Sequence, residues 1–353
     1  MDVLDASDSR LANLTQWVIE DLGFAGASIA PASVDASFRR YFRVTRGADS
    51  YIVMDAPPEK EDSGPFLKVA RILGSLDLNV PIILARDMAR GFLLLSDLGS
   101  RQYLDALPVD GAADRLYADA LRSLRTMQTA AAGLSQGLPR YDRTLLLREM
   151  ELLPEWFLVR HLGLTLEARE RAMLESLFES LVEAAVAQPA CFVHRDYHSR
   201  NLLVTDENNP GILDFQDAVW GPVTYDLASL LKDCYIAWPP ARVRQWVLEY
   251  RESLLEAGFE LNAGDAQFMR WFDLTGLQRH IKVLGIFARL FYRDGKSQYL
   301  QDLPRVLAYV RDTALSYPEG AAFAEFIVSR IDPEFKAAQQ RALAATRNTR
   351  TGS

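Results

Sequence analysis

One segment of the sequence, residues 191–217, constrains what this chain can fold into more than any other. It opens on a short β-type run and then places Asn201 five positions after Asp196. Two more β-type runs follow, and the second leads directly into Asp214, eighteen positions after Asp196. An aspartate and an asparagine at this spacing are common alone, but the whole arrangement is specific. It predicts a loop between short strands that gathers two carboxylates and one amide.

These side chains suit the transfer of a phosphoryl group. That reaction needs an aligned hydroxyl, neutralised phosphates and a positioned metal more than covalent help from the protein. Asp196 can accept the proton of the hydroxyl, which makes it the predicted catalytic residue. Asn201 and Asp214 carry the oxygen ligands that Mg²⁺ prefers, and the phosphates of ATP would complete its coordination. We therefore predict ATP and Mg²⁺ as cofactors, and expect His198 either to brace the loop or to contact the substrate.

The pattern along the chain predicts an α+β protein with two lobes. Strand-like runs dominate the first ~95 residues, whereas helical spacing dominates from residue 111 onward, apart from the segment 191–217. We predict a β-rich, nucleotide-binding lobe over 1–98 and a helical, catalytic and substrate-binding lobe over 99–340. A disordered tail is expected over 341–353. A cleft between two such lobes is a common place for a ligand. The predicted strands are 41–45, 51–54, 81–85 and 91–95, and helices are predicted at 8–22 and 66–76.

Composition excludes several classes of partner. The 353 residues carry a formal charge of −8, which argues against nucleic acid or an anionic membrane surface, because both require a basic footprint. No stretch approaches the roughly 18 apolar residues of a membrane span. The two cysteines, Cys191 and Cys234, are too few for a disulfide framework. We therefore expect a cytoplasmic protein whose partners are small molecules, with no nucleic-acid and no membrane partner.

The motifs around the central segment resemble those of a known family. The run HRDYHSRN at 194–201, the DFQ that begins at Asp214 and the GPVTYDLA that begins at Gly221 are similar to those of the aminoglycoside phosphotransferase-like kinases. The resemblance covers about residues 30–300 and implies a two-lobed protein-kinase-like fold. It also implies a structural role for Asp226, which would bond backbone amides near the catalytic loop. The Ala-Pro-Glu element of protein kinases is absent from the sequence.

Within that family, several stretches are most similar to the kinases that phosphorylate the anomeric hydroxyl of N-acetylmuramate and N-acetylglucosamine. Those enzymes form sugar 1-phosphates in peptidoglycan recycling. The resemblance therefore implies an ATP-dependent kinase with an amino-sugar acceptor. The stretches that carry it are DASFRRYFR at 35–43, MDAPP at 54–58, EME at 149–151, QRHIK at 278–282 and GIFAR at 285–289.

The nucleotide is expected to contact two segments of the first lobe. No glycine-rich loop precedes the strand at 41–45, and Ser33, Asp35 and Ser37 form the predicted substitute, which can offer backbone N–H groups and hydroxyls to phosphates. An ordinary turn is the alternative. The segment 93–99 resembles the hinge of the family, which implies adenine contacts with the Ser96 carbonyl and the Leu98 N–H.

The strand lysine that contacts phosphates in kinases is missing from this sequence. The matching run 51–54 reads YIVM, and the helix predicted at 66–76 has no glutamate to pair with such a lysine. Arg43 is the predicted replacement, with Arg39 and Arg40 as alternatives, because arginine suits bidentate phosphate contact.

Two sets of side chains are candidates for the acceptor side. A basic stripe on one helical face could meet an anionic group such as the lactyl carboxylate of N-acetylmuramate. An acidic set beside a tryptophan could bond sugar hydroxyls or a cationic aminoglycoside. The sequence alone leaves open which set lines the site, and a solvated charged face is the alternative for the stripe. The stripe includes Arg279, Lys282 and Arg289, and the acidic set includes Glu149 and Glu151 with Trp156.

Two other functions remain open on the sequence. The first is a kinase for another small acceptor, such as an aminoglycoside, choline or homoserine. The second is a nucleotide-binding pseudokinase that acts as an interaction module, which the missing lysine supports and the complete set of Asp196, Asn201 and Asp214 opposes.

Overall fold

The computed structural model describes residues 8–34, 38–109, 111–131, 133–135 and 137–351. The chain forms two compact units. The sheet unit holds the described residues up to Ala106 together with Leu202–Asp217, and the helical unit holds those of Leu107–Asn201 and of the chain from Ala218 onward. The predicted α+β class with one sheet-rich and one helical part is confirmed.

Nine strands and twelve α-helices occur in the described residues. The strands are β1 (Ser28–Val34), β2 (Arg40–Arg46), β3 (Asp49–Asp55), β4 (Ile83–Asp87), β5 (Phe92–Ser96), β6 (Ala190–Val193), β7 (Leu202–Leu203), β8 (Gly211–Ile212) and β9 (Val219–Pro222). The helices are α1 (Ser9–Gln16), α2 (Gly64–Gly74), α3 (Tyr103–Ala106), α4 (Ala112–Ala130), α5 (Arg143–Met150), α6 (Ala168–Val186), α7 (Tyr225–Leu231), α8 (Pro240–Glu256), α9 (Asp265–Asp294), α10 (Leu303–Ser316), α11 (Ala321–Phe326) and α12 (Asp332–Thr351). Among these residues, no helix is both long and apolar enough to cross a membrane.

The sheet unit is built on five antiparallel strands in the order β1-β2-β3-β5-β4. The four strands expected from the sequence correspond to β2, β3, β4 and β5. Strands β2 and β3 form a tight hairpin in which Arg46 pairs with Asp49, and Gly47 adopts a φ of 63° that favours glycine. Val44 and Val53 are fully buried and pack with Trp17, which follows α1. The core of this unit therefore lies between one face of the sheet and the N-terminal helix.

A late segment of the chain, Leu202–Asp217, belongs to the sheet unit rather than to the helical unit. The N–H of Val204 donates to the Arg101 carbonyl at 2.8 Å, and the N–H of Ile212 donates to the Asn79 carbonyl at 2.8 Å. These backbone bonds join segments of the sheet unit that are far apart in sequence. Helix α12 follows Ile331 and spans Asp332–Thr351.

The helical unit is organised around α9, which is buried along most of its length. The helix contains the basic stripe predicted from the sequence. The π-helical segment Leu153–His161 packs against it, and Gly285 lies where the two come closest. A Cβ atom at Gly285 would lie 2.4 Å from the carbonyl carbon of Leu152. The absence of a side chain there therefore sets how closely the two segments approach.

We expect Gly285→Ala to lower the free energy of unfolding by about 2 kcal/mol, because overpacking against backbone forces the two segments apart. Equilibrium unfolding in urea measures the change.

The control is Gly276→Ala on the same helix, where the new Cβ would meet the flexible side chain of Lys232 at 3.2 Å. Alanine is the better helix former, so this variant should differ from the wild type by less than about 1 kcal/mol. Equal losses in the two variants would contradict the close approach at Gly285.

Candidate active site

The loop 194–201 in the helical unit is held by the carboxylate of Asp226. Its two oxygens accept the backbone N–H groups of His194, at 2.6 Å, and of Arg195, at 2.9 Å. Arg195 has a φ of 77°, a conformation that costs energy in a residue with a Cβ. Burial raises the pKa of Asp226 to about 7, although the two N–H donors act in the opposite direction. Asp226 thus holds a strained loop, the structural role that the family resemblance implied.

Hydrogen bonds inside the loop orient its polar side chains. The N–H of His198 donates to the Asp196 carbonyl at 3.1 Å, and the side-chain nitrogen of Asn201 donates to the same carbonyl at 2.9 Å. The N–H of Ser199 donates to Asp233 at 2.9 Å. The hydrogen bond from the Asn201 nitrogen to this carbonyl fixes the orientation of the amide group within the loop.

Asp196 is partly accessible and lies in a positive environment. Burial would raise the pKa of its carboxyl group, but the interactions with Lys282, His198, Arg195 and Arg279 outweigh that effect and hold the pKa below its usual value. The side chain is therefore ionised near neutral pH, which is the state that can accept a proton from a hydroxyl group.

The positive charges beside Asp196 are themselves balanced by the buried carboxylate of Glu149. One oxygen pairs with Lys282 at 2.9 Å and with Arg195, and the other accepts the hydroxyl of Tyr141. Burial would raise the pKa of Glu149, but Lys282 and Arg195 lower it below its usual value. We call Glu149, Lys282, Arg195 and Tyr141 the ion cluster.

The ion cluster changes the interpretation of two predicted acceptor residues. Glu149 has both oxygens engaged, and Lys282 is almost fully buried between Glu149 and the hydroxyl of Tyr225, 3.2 Å away. Direct contact of either side chain with a sugar would break these bonds in a buried place, which is costly. The geometry therefore argues against direct contact and gives both residues a supporting position under the loop.

The other acceptor candidates are dispersed within the helical unit. Arg279 is buried and donates to the sulfur of Cys234 at 3.4 Å. Trp156 is also buried, and the guanidinium of Arg160 lies 4.3 Å from its ring. Arg289 is half-buried, and burial together with the charge of Arg293 lowers its pKa. Glu151 is exposed at the end of α5. None of these four side chains contacts the loop 194–201 through a hydrogen bond or ion pair that the structure shows, whereas His198 lies in the loop itself.

In the sheet unit, Asp214 follows β8 with a φ of 62°. One of its oxygens accepts the side-chain N–H of Gln216 at 2.6 Å, and Phe215 stacks on Phe66 of α2 with ring centroids 5.0 Å apart. A left-handed backbone is uncommon outside glycine and is enriched at functional sites.

The predicted hinge also lies in the sheet unit. Ser96 ends β5, and its hydroxyl accepts the N–H of Ile82 at 2.8 Å. The side chain of Leu98 packs against Gly211, where a Cβ would come within 3.2 Å of it. Among the predicted phosphate contacts, Ser33 belongs to β1, whereas Asp35 and Ser37 lie outside the described residues.

The predicted phosphate-binding arginines are all paired with carboxylates. Arg43 donates twice to Asp97, at 2.6 and 3.1 Å, and once to the Gly99 carbonyl at 3.1 Å. These bonds engage Nε and Nη2 of the guanidinium and tie Arg43 to Asp97 and Gly99. Of the alternatives, Arg40 pairs with Asp8 and Asp55, and Arg39 pairs with Glu61 at 3.1 Å.

The donor chemistry of the predicted metal ligands fits Mg²⁺. Asn201 and Asp214 supply hard oxygen donors, and such an ion needs only one or two protein ligands when it also binds phosphates. Within the part of the chain that the structure describes, no group of three or more histidine, cysteine or acidic side chains could hold a metal by itself. An open groove of about 810 Å³ between α2 and β4 contains none of the predicted site residues.

Sequence reasoning missed two supports of the loop, Tyr141 and Asp233. Neither lies in a motif, and each reaches the loop, or the ion cluster below it, through tertiary packing. Asp233 follows α7 closely in the chain, so its distance from the GPVTYDLA motif is the one signal that could have suggested it.

The chain is similar to a family model, to curated relatives and to solved structures. The family model described as the phosphotransferase enzyme family matches residues 28–271. A relative from Pseudomonas aeruginosa named N-acetylmuramate/N-acetylglucosamine kinase is 48% identical over 92% of this chain and 98% of its own length. A protein of the same name from Pseudomonas putida is 46% identical over 91% of this chain and 96% of its own. The ADP-bound crystal structure of the aminoglycoside phosphotransferase APH(2'')-Ib is similar with a TM-score of 0.56 and 17% identity, and covers 87% of this chain and 99% of its own.

We expect Glu149→Gln to lower the free energy of unfolding by about 3 kcal/mol or more, because it leaves two buried cations without their counter-charge. Urea unfolding measures the loss, with the exposed Glu151→Gln as the matched control, expected within about 0.5 kcal/mol of the wild type.

The double variant Glu149→Gln/Lys282→Gln should lose less than the sum of the two single variants, since it removes one charge of each sign. Strict additivity would contradict the pairing of Glu149 with Lys282.

Proposed function

This chain belongs to the phosphotransferase enzyme family, and we propose that it is an ATP-dependent kinase for the anomeric hydroxyl of N-acetylmuramate and N-acetylglucosamine. The observation that carries the proposal is the name shared by relatives that are 46% and 48% identical over more than nine tenths of the chain. The ionised Asp196 in a braced loop supports the kinase chemistry from the structure.

We propose Asp196 as the catalytic carboxylate, which its partial accessibility and its lowered pKa support. In the proposed reaction, the anomeric oxygen of the sugar attacks the γ-phosphorus of ATP and the bond from that phosphorus to the bridging oxygen of ADP breaks. The proton of the hydroxyl passes to the carboxylate of Asp196, and ADP leaves with the bridging oxygen. Asp196 thereby orients the hydroxyl and takes its proton, a role that general bases fill with gains of about 10²–10⁴-fold.

The metal and nucleotide contacts are proposed on the chemistry of the side chains. Asn201 and Asp214 would hold Mg²⁺, which neutralises phosphate charge when bound. The backbone of Ser96 and Leu98 would contact the adenine, and a kinase that draws on ATP would work in the cytoplasm. For the missing lysine, the proposed replacement remains Arg43, with Arg39 and Arg40 as alternatives, and each of the three is paired with a carboxylate.

Two observations concern the alternatives, an aminoglycoside acceptor and an interaction module. The structural likeness to an aminoglycoside phosphotransferase comes with only 17% identity, so it supports the fold and not the acceptor. An interaction module without catalysis would not need Asp196 to be kept ionised by several cations.

We expect the purified protein to release ADP from ATP in the presence of Mg²⁺ with N-acetylmuramate or N-acetylglucosamine, and not with an aminoglycoside, choline or homoserine. Phosphorus NMR of the product should show a sugar 1-phosphate rather than a 6-phosphate.

Asp196→Asn should lower kcat by about a hundredfold or more while ATP still binds, because amide nitrogen cannot accept the proton. The exposed Asp206→Asn is the matched control and should retain wild-type kcat. ADP release with one of the other acceptors only would replace the proposed substrate. Tight ATP binding without ADP release for any acceptor would favour the interaction module.

A further inference from the structure

A half-buried arginine lies in the catalytic loop between two tyrosine rings. The guanidinium carbon of Arg200 is 3.8 Å from the centre of the Tyr235 ring and 5.9 Å from that of Tyr299. A cation over an aromatic face is held by attraction to the ring, and the loss of hydration on that side makes the contact stronger. The two rings therefore restrict the position of the guanidinium.

The tyrosines are in turn supported by a buried aromatic side chain. Phe287 of α9 packs against Tyr299 with ring centroids 5.1 Å apart and against Tyr235 at 6.1 Å. The ring of His198 meets Tyr235 edge-on at 5.4 Å. The stack of Arg200 is thus part of the packing of the loop. Since stacking uses the faces of the guanidinium, its N–H groups, which lie in the plane, stay available for an anion.

Arg200 forms no direct ion pair in the described part of the chain. Its guanidinium also makes no hydrogen bond with any described residue, unlike Arg195, which pairs with Glu149. Asp302 is close enough for the charge of Arg200 to act on it, and one of its oxygens pairs with Arg305 at 3.0 Å. Asp233 accepts the backbone N–H groups of Ser199 and Tyr235. A cation that is held in place without a direct partner is suited to bind an anionic group from outside.

The position of Arg200 favours the acceptor as the source of that group. It immediately precedes Asn201, whose side chain bonds to the Asp196 carbonyl, and the charges of Asp196 and Arg200 both act on His198. An acceptor that offers its hydroxyl to Asp196 would therefore lie near Arg200. The two proposed acceptors differ in one anionic group, because N-acetylmuramate carries a lactyl carboxylate that N-acetylglucosamine lacks. Two of the three cations predicted earlier for that group, Arg279 and Lys282, are unsuitable because they are buried and engaged.

We propose that Arg200, held between Tyr235 and Tyr299, binds the carboxylate of the acidic sugar acceptor and determines the preference for N-acetylmuramate over N-acetylglucosamine. The proposal rests on the proposed kinase function. It replaces the basic stripe of α9 with a single residue of the catalytic loop as the recognition element for the anion.

The test compares kcat/KM for the two sugars in the wild type and in Arg200→Gln. The ratio of N-acetylmuramate to N-acetylglucosamine should fall by about tenfold or more in the variant, because a charge-assisted bond to the carboxylate is lost. Arg200→Lys should recover part of the ratio, since it keeps the charge but loses the fork. Arg244→Gln, on the exposed face of α8, is the matched control and should keep the wild-type ratio.

A second arm needs no variant that could fail to fold. The methyl ester of N-acetylmuramate has no negative charge, so the wild type should use it about tenfold less efficiently than the free acid. Arg200→Gln should show a much smaller difference between the two, because the partner of the carboxylate is already absent.

Three results would overturn the proposal. An equal loss for both sugars in Arg200→Gln would assign Arg200 to the transferred phosphate. An unchanged ratio would show that Arg200 does not recognise the acceptor. Equal use of acid and ester by the wild type would show that no cation of the protein binds the carboxylate. Failure of the wild type to phosphorylate either sugar is a different result, which refutes the proposed function and with it this role.

Discussion

The candidate active site depends on the bonds between the carboxylate of Asp226 and the backbone N–H groups of His194 and Arg195. A loop that carries catalytic side chains must keep one conformation, and here it must also hold Arg195 at a positive φ. Backbone strain of this kind persists only when the surroundings over-determine it. Because Asp226 is the second residue of α7, the loop is fixed to a helix rather than to another loop. The hydrogen bonds that orient Asn201 and Asp196 follow from that attachment.

The ion pairs beside the loop are the second feature on which the site depends. Arg195 and Lys282 share one buried counter-ion, Glu149, so the ion cluster keeps a positive excess below the loop. A buried pair of this kind is weak evidence for stability, because desolvation of both charges opposes their attraction. Its effect on Asp196 is clearer, since the carboxylate remains ionised in spite of its burial. The ion cluster therefore affects the ionisation of Asp196 as well as the stability of the fold.

The parts of the site that could be predicted from the sequence are those fixed by local spacing. Asp196 and Asn201 lie in one loop, so five positions suffice to relate them, and the strand-like runs at 41–45 and 51–54 indicated β2 and β3. The partners of Arg43 and Glu149 could not be predicted, because each ion pair joins segments that are distant in the sequence. For the same reason the sequence placed Asp214 in the helical lobe, whereas its hairpin belongs to the sheet unit. The sequence also could not show that Arg279 and Lys282 are buried. A basic stripe has the same spacing whether it faces solvent or a buried carboxylate.

The pH dependence of kcat/KM in the wild type and in Lys282→Met tests most directly whether this charge environment controls the catalytic carboxylate. In the proposed reaction Asp196 must be ionised, so the rate should fall as the pH decreases through its pKa. Lys282 lowers that pKa, and its removal should therefore shift the acid limb of the profile to higher pH, while Lys282→Arg should leave it in place. An acid limb at the same pH in wild type and Lys282→Met would contradict the account.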